Sequence, residues 1–346
     1  MRVMAALSGG VDSSVAAAVL LEQGHEVVAA TLKLWGGDSD TGCCSVSDVE
    51  DARRSAAQLG LDHHVFNYTE EFDRHVVAPY VADHAVGRTP NPCVECNRHL
   101  KFDSLLQRAE LLGFDAVATG HHARIVEGAD GSPRIARGAD RAKDQSYVLH
   151  PLLEAGLDRV LFPIGSMTKH EVRERAAELG LRTATKPDSQ DVCFITRADG
   201  RGSFLEQRID LHPARVVDDS GAEVGGTDAV ELVTIGQRRG LNLAGGADRR
   251  FATEVDVGNR VVTVGPPEAL LTSQQDLEQV TWVPGAGAGT LAAQTSAHGE
   301  PRAAHVRAGA VGAATLDWVE PQSRVAPGQS VVLYDGDVVV GGGVAV

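Results

Sequence analysis

The chain has 346 residues, enough for two or three compact domains that each bury a core, and its five cysteines (Cys43, Cys44, Cys93, Cys96, Cys193) are too few and too odd in number for a disulfide-framed secreted scaffold. They read as reduced intracellular thiols, and the short opening apolar run, interrupted at Ser8-Gly9-Gly10, is neither a signal peptide nor a membrane span, which predicts a cytoplasmic protein with no membrane partner. A formal net charge of -15 excludes a general polyanion binder, so any RNA partner must meet local basic patches; charge alone fits a solvated acidic enzyme better.

In chain order, an apolar run Val3 to Leu7 predicts a strand, followed by a glycine turn and a helix from Ser13 to Gln23 that Gly24 stops. Val27 to Leu34 predicts the second strand. Ser47-x-x-Glu50 is a capping-box pattern ahead of Val49, Ala52, Ala56 and Leu59, with Gly60 as the stop. Val65-Phe66, a helix from Leu100 to Leu112 ended by Gly113, and a short strand Ala116 to Thr119 continue the alternation, which predicts a parallel sheet wrapped by helices. Ligands of such sheets bind beyond the carboxyl ends of the strands. A second capping box, Thr168-x-x-Glu171, opens a helix through Val172, Ala176 and Leu179. Near residue 210 the texture changes to β, with hairpin signals at Gly258-Asn259 and Asp335-Gly336 and a turn at Pro284 to Gly289. The expected class is α/β: a parallel-sheet domain over 1–210, then smaller, mainly antiparallel β domains over 211–270 and 271–346, the last barrel-like.

Ser8-Gly9-Gly10-Val11-Asp12-Ser13 lies between the first strand and the first helix, where glycines let backbone N–H groups face an anion and the helix N-terminus adds a favourable field. It lacks the Gly-Lys-Ser/Thr ending of a Walker loop and the spacing of dinucleotide folds. The plain alternative is a tight turn with Ser13 or Asp12 capping the helix. Cys93 and Cys96, in Pro90-Asn91-Pro92-Cys93-Val94-Glu95-Cys96-Asn97, stand just before the predicted helix, whose field favours a thiolate. Such a pair also serves as half a zinc site, a redox disulfide or part of an iron–sulfur site, but no second Cys-x-x-Cys follows. Cys193 stands apart, among polar neighbours.

The loop resembles the signature of the N-type ATP pyrophosphatases, which cleave ATP between the α- and β-phosphates. With Thr89 to Asn97 leading into Lys101-Phe102, Ala118-Thr119-Gly120-His121, Lys143-Asp144-Gln145-Ser146-Tyr147, Asp188 to Ile195 and Thr234 to Leu241, nearly the whole chain resembles the tRNA-uridine 2-sulfurtransferases, or tRNA 2-thiouridylases. The resemblance implies an adenine nucleotide alpha hydrolase-like first domain that binds ATP and carries catalysis. It places the nucleophile on Cys96 and the persulfide-bearing cysteine on Cys193. It places ATP at Ala6, Leu7, Ser8, Gly9, Gly10, Val11, Asp12, Ser13, Leu32 and Gly120, with Asp12 helping to place Mg2+. It also places tRNA at Asn91, Pro92, Cys93, Lys143, Asp144 and Gln145. His121 and His122 are expected to orient the loop, no protein-bound metal site is expected, and Cys43-Cys44 has no expected catalytic role. The implied partners are tRNA and a sulfur-donor protein. Because some members carry Asp where this chain has Cys93, the rival reading is an iron–sulfur cluster on Cys93, Cys96 and Cys193 with one iron left open. One region departs from the family: a basic, tyrosine-containing contact is replaced by Thr295-Ser296-Ala297-His298-Gly299, for which Arg302 and Arg307 are candidate substitutes.

Overall fold

The computed structural model describes residues 1–34, 46–154, 156–188, 192–195, 200–243 and 249–346, so Cys43-Cys44 and Ser189 to Asp191 lie outside the described residues. The chain divides into two compact units, Met1–Val76 with Pro92–Thr196 and Gly336–Val340, and Val77–Asn91 with Arg197–Asp335 and Gly341–Val346.

The first unit begins β1 (Arg2–Ala6), α1 (Val11–Glu22), β2 (Glu26–Lys33), α2 (Val46–Gln58) and β3 (His63–Asn67). A helix α3 (Thr69–Phe72) runs through a wide turn, Asp73–Val77, into α4 (Ala78–Ala85) of the second unit. Next, α5 (Pro92–Glu95), wide π-type turns over Cys96–Ser104 and α6 (Leu105–Leu111) follow without a break, and β4 (Ala116–Ala118) succeeds them. A hairpin of β5 (Ala123–Glu127) and β6 (Pro133–Arg137), the short β7 (Val160–Leu161) and α7 (Lys169–Glu178) complete the unit. The sheet runs β3-β2-β1-β4-β7 with every pairing parallel. From β1 the chain goes first to β2 on one side and later to β4 on the other. The carboxyl ends of β1 and β4 therefore form the crevice in which open α/β sheets bind ligands.

α1 is apolar all round because it is covered on two faces. Ala17 and Leu20 pack with Val3, Ala5, Val27, Ala29 and Ala118 of the sheet. Val11, Val15 and Ala16 pack with Val172 and Ala176 of α7. The second contact brings the N-terminal ends of α1 and α7 into one neighbourhood. Thr168 caps α7 through the reciprocal bonds of a capping box with Glu171, as its sequence predicts.

Several sequence expectations are corrected. α2 already includes Ser47, so Ser47 and Glu50 do not cap it; Glu50 instead pairs with Arg54 one turn on, at 3.0 Å. The predicted 100–112 helix begins at Pro92, because proline fits the first helical position, where its missing N–H costs nothing. Cys93 thus lies in the first turn and Cys96 beyond it, where the terminal field fades. The β5–β6 hairpin escaped prediction, since Ala123 to Arg137 alternates weakly and is split by Gly128 to Ser132.

In the second unit, α8 (Gly200–Glu206) precedes β8 (Ala214–Val217), β9 (Glu223–Thr227), β10 (Phe251–Asp256) and β11 (Val261–Gly265), ordered β10-β11-β8-β9. The β10–β11 connection has four residues rather than the expected Gly258-Asn259 pair, because Asp256 accepts from the Asn259 backbone N–H at 2.8 Å and carries the turn outward. β12 (Leu271–Trp282), β13 (Gly289–Gln294), β14 (Arg302–Ala308), β15 (Ala314–Ser323), β16 (Ser330–Asp335) and β17 (Val338–Ala345) follow in the order β12-β15-β14-β13-β16-β17, and the added β12–β17 pairing closes a barrel. Closure removes open sheet edges. Its last turn is Gly336-Asp337, one residue past the predicted pair, with Gly336 at φ 56°. Among the described residues no helix is long and apolar enough to cross a membrane.

Replacing Thr168 by Ala deletes the cap of α7 and should cost about 1 kcal/mol. Thermal melting should register a downward shift; an unchanged curve would show that α7 is fixed by packing alone.

Candidate active site

The loop after β1 is locked by its serines. Ser13 Oγ accepts from the Ser8 backbone N–H at 3.1 Å and donates to the Gly10 carbonyl at 3.2 Å, which Ser14 Oγ also reaches at 2.9 Å. Ser13 therefore shapes the loop instead of capping α1, whose N-cap, Gly10, supplies no side-chain hydrogen bond. An uncapped helix N-terminus is a ready site for an anion. Gly9 is required on two counts: its φ is 74°, and a Cβ there would lie 2.3 Å from the Asp48 carbonyl oxygen. Gly120, just beyond β4, is equally constrained, since a Cβ would meet the Ser13 nitrogen at 2.5 Å. Leu7 and Leu32 are buried beside the loop's root, and the Leu7 carbonyl accepts from Thr31 Oγ1 at 2.8 Å. Ala6 ends β1 and Val11 starts α1, so the expected nucleotide residues from Ala6 to Ser13 form one strand-loop-helix junction, with Gly120 against it.

Both carboxylate oxygens of Asp12 accept from Lys169 Nζ, at 2.8 and 2.7 Å, and His122 Nε2 lies 3.3 Å away. Burial opposes the charge on Asp12, but the bonds to His122 and Lys169 overcome it and hold the carboxyl below its ordinary pKa. Lys169 also reaches Asp188 at 3.0 Å, and Asp188 takes further bonds from Lys143 at 2.8 Å and Arg173 at 2.7 Å. Against its desolvation, the bonds from Lys143 and Lys169 keep the Asp188 carboxyl well below the usual carboxylate range. Lys186 Nζ donates to the Gly9 carbonyl at 3.0 Å and to Asp48 and Asp51 at 2.8 and 2.6 Å. Its ammonium is desolvated, yet those carboxylates raise its pKa. Three of the five lysines thus converge around the loop. Lys169, Lys186, Arg173, Asp48 and Asp51 were not singled out from sequence; the confinement of every lysine to the first 186 residues was the available signal.

The Lys143-Asp144-Gln145 segment is tied to this centre. Gln145 accepts from the His122 N–H at 2.9 Å and returns its own N–H to the His122 carbonyl at 3.0 Å. Asp144 is buried, and its carboxylate accepts from Gly138, Ser146 and Arg137, which commits it to shaping the segment. Lys143 is held protonated by its bond to Asp188. His121 is buried between Phe102 and Phe162, at ring distances of 6.0 and 5.9 Å, and bonds Thr119 at 2.7 Å. Desolvation keeps it neutral, so it is a packing group, whereas His122 touches Asp12.

Pro92 and Cys96 are buried, and Asn91, Cys93 and Cys193 are half-buried, with Asn91 the last residue of its segment of the second unit. The helical stretch 69–77 touches both cysteine-bearing segments. Phe72 meets Phe194, the neighbour of Cys193, edge-on at 5.7 Å, and His75 stacks on His99, three residues past Cys96, at 4.7 Å.

Magnesium prefers hard oxygen ligands and commonly takes one or two carboxylates together with substrate phosphates. Asp12 fits as that carboxylate, with Lys169 now covering both its oxygens. A cluster fits poorly: among the described residues, which include Cys93, Cys96 and Cys193, no three His, Cys, Asp or Glu side chains are grouped to hold a metal.

The model for the tRNA methyl transferase HUP domain matches residues 1–197, that for the tRNA methyl transferase PRC-barrel domain residues 202–266, and that for the aminomethyltransferase beta-barrel domain residues 273–345. The tRNA-specific 2-thiouridylase MnmA of Roseiflexus sp. (strain RS-1) is 46% identical over 99% of this chain and 98% of its own length. The chain belongs to the tRNA-specific 2-thiouridylase family. The MnmA of Thermobifida fusca (strain YX) is 44% identical over 99% of the chain and 94% of its own length. This is a family of tRNA-modifying sulfurtransferases with a nucleotide-binding first domain. A solved 4-thiouridine synthetase–RNA complex with bound ATP is similar over 56% of this chain and 44% of its own, at 22% identity and a TM-score of 0.36.

Two outcomes test the site. Gly120→Ala drives a methyl into the Ser13 backbone and should weaken ATP binding roughly tenfold by calorimetry while lowering the melting temperature by the equivalent of about 1–3 kcal/mol; undiminished ATP binding would remove Gly120 from the site. The depressed Asp12 and Asp188 carboxyls contribute stability that is complete above the unfolded carboxyl value of about 4 and is lost as pH falls toward their lower folded values. Asp188→Asn should therefore melt lower than the wild type at pH 7 and lose less stability between pH 6 and pH 3; parallel acid profiles would remove Asp188 from that role.

Proposed function

We propose that this chain thiolates carbon 2 of a tRNA wobble uridine at the expense of ATP, which is cleaved to AMP and pyrophosphate. The observation that carries the reading is the uncapped α1 N-terminus at the switch point, pressed against Gly120 and ringed by Asp12, Lys169 and His122. A terminus with free donors and a basic neighbour suits a departing pyrophosphate. When bound, magnesium supplies neutralisation of charge on that leaving group. Lys169 keeps Asp12 ionised until then, and Lys186 fixes the Gly9 carbonyl so that the loop's N–H groups keep their aim.

The chemistry runs in three steps. Uridine O2 attacks the α-phosphate, the bond to the β-phosphate breaks, and the oxygen becomes part of a good leaving group. The terminal sulfur of a persulfide on Cys193, loaded by a sulfur-donor protein, attacks C2 and expels AMP. The Cys96 thiolate then attacks the Cys193 sulfur, which forms a Cys96–Cys193 disulfide and releases the 2-thiouridine; an external thiol reductant resets the pair. The polar Lys143-Asp144-Gln145 segment and Asn91-Pro92-Cys93 serve the target base and adjoining RNA, as a flipped base demands. The grouping that a cluster requires is missing among the described residues, so no step is routed through iron and sulfur.

Pyrophosphate release from ATP is measured with and without unmodified tRNA bearing a wobble uridine. Release should require the tRNA and persist in Cys193→Ser while thiolation drops below detection; release of ADP and phosphate, or indifference to tRNA, would sink the reading.

A further inference from the structure

Positive charge in the second unit is concentrated where Thr234 to Leu241 faces the start of β10. The turn is stapled throughout. Gln237 donates its backbone N–H to Thr234 O at 2.9 Å, its side-chain oxygen accepts from the Thr234 N–H at 3.1 Å, and its amide donates to the Arg239 carbonyl at 2.8 Å. Gly236 and Gly240, at φ 83° and 74°, make the bends, and buried Leu241 anchors the far end while its carbonyl accepts from Gly226 at 3.1 Å. Gly236 N–H donates to Ala252 O at 2.8 Å and Ala252 N–H to Gln237 O at 2.9 Å. That antiparallel pair runs the strand leading from Arg249-Arg250 alongside the one leading to Arg238-Arg239.

Arg238, Arg239 and Arg249 are exposed, and none of them makes an ion pair or side-chain hydrogen bond among the described residues. Arg250, beside them, is 3.4 Å from Asp218. The chain holds 47 acidic residues against 32 basic ones, so an arginine has carboxylates in excess to meet. Cations around the loop do so, Lys143, Lys169, Lys186 and Arg173 all being neutralised, and Arg307, a sequence candidate for RNA contact, is bound by two bonds to Asp317; Arg302 and a few other exposed arginines have no ion pair among the described residues either, but they are scattered, whereas these three stand together. Three guanidiniums that have no carboxylate partner among the described residues, two on the stapled turn and one on the strand paired with it, repel one another, and a multivalent anion relieves that repulsion. Guanidinium forks match phosphate oxygens in pairs, and a rigid turn leaves little entropy to lose on binding.

We infer that Arg238, Arg239 and Arg249 form a phosphate-binding surface that takes the sugar-phosphate backbone of the RNA substrate. The inference rests on the function proposed above. The contact is with backbone, so it positions the RNA without reading its sequence.

The test measures binding of an unmodified wobble-uridine tRNA transcript to the full chain between 50 and 200 mM KCl. Arg238→Glu/Arg239→Glu should weaken binding roughly 10- to 100-fold and reduce the slope of log affinity against log salt by about 2, one per lost phosphate contact. The neutral pair Arg238→Gln/Arg239→Gln should fall between. Arg53→Glu/Arg182→Glu changes the net charge equally on the exposed surface of the first unit and should leave the slope as it is. If the wild type binds and the turn variants match it in affinity and slope, the surface is not an RNA site; such variants losing a sulfur-donor protein instead would assign it to that protein and overturn the inference. If the wild type itself shows no tRNA affinity at any salt, the functional reading fails first.

Discussion

The Asp12 carboxylate is held charged where two helices begin, and the arrangement of the first unit follows from that constraint. α1 is covered by the sheet on one face and by α7 on another, which brings Asp12 and Lys169 together at their N-terminal ends. A carboxylate in that half-buried place carries a desolvation cost that a partner must offset, and Lys169 with His122 supplies it. The capping box of Thr168 and Glu171 fixes where α7 starts, and so where Lys169 stands.

Charge is used in two ways within one acidic chain. Around the glycine loop after β1, cations are matched against carboxylates, and the network reaches from Gly9 through Lys186 to Asp48 and Asp51 and from Asp12 through Lys169 to Asp188 and Lys143. Such a network holds the loop's shape while keeping its field close to neutral. At the turn of Arg238 and Arg239 the charge is left open to solvent. Exposed ion pairs contribute little stability singly, so the value of the first network lies in position.

The cysteines show how packing joins segments that are distant in sequence. Cys96 lies on the long helical stretch after Pro92, and Cys193 on a short segment nearly a hundred residues later. Helix 69–77 contacts the neighbours of both, through Phe72 on Phe194 and His75 on His99. Wide turns over Cys96–Ser104 alter the helical period directly after Cys93 and bury Cys96 and Asn97.

Much was legible in the sequence because it depends on near neighbours. Apolar periodicity, Gly24 and Gly113 as stops, and Thr168 with Glu171 as a cap determine elements through contacts a few residues apart. The order of strand, glycine loop and helix was likewise legible as one junction, and the motif strings announced the family. Where local cues compete, the reading slipped: Ser47 looked like a cap and lies within α2, and Pro92 begins a helix that periodicity started eight residues later. The ring of Lys169, Lys186, Arg173 and Asp188 around the loop, the burial of Asp144 and the pairing of Arg307 with Asp317 were decided by tertiary structure. Each depends on which helix or strand packs beside which. A sequence sets that through the summed burial of many apolar side chains, and no short run of residues around the charged group records it.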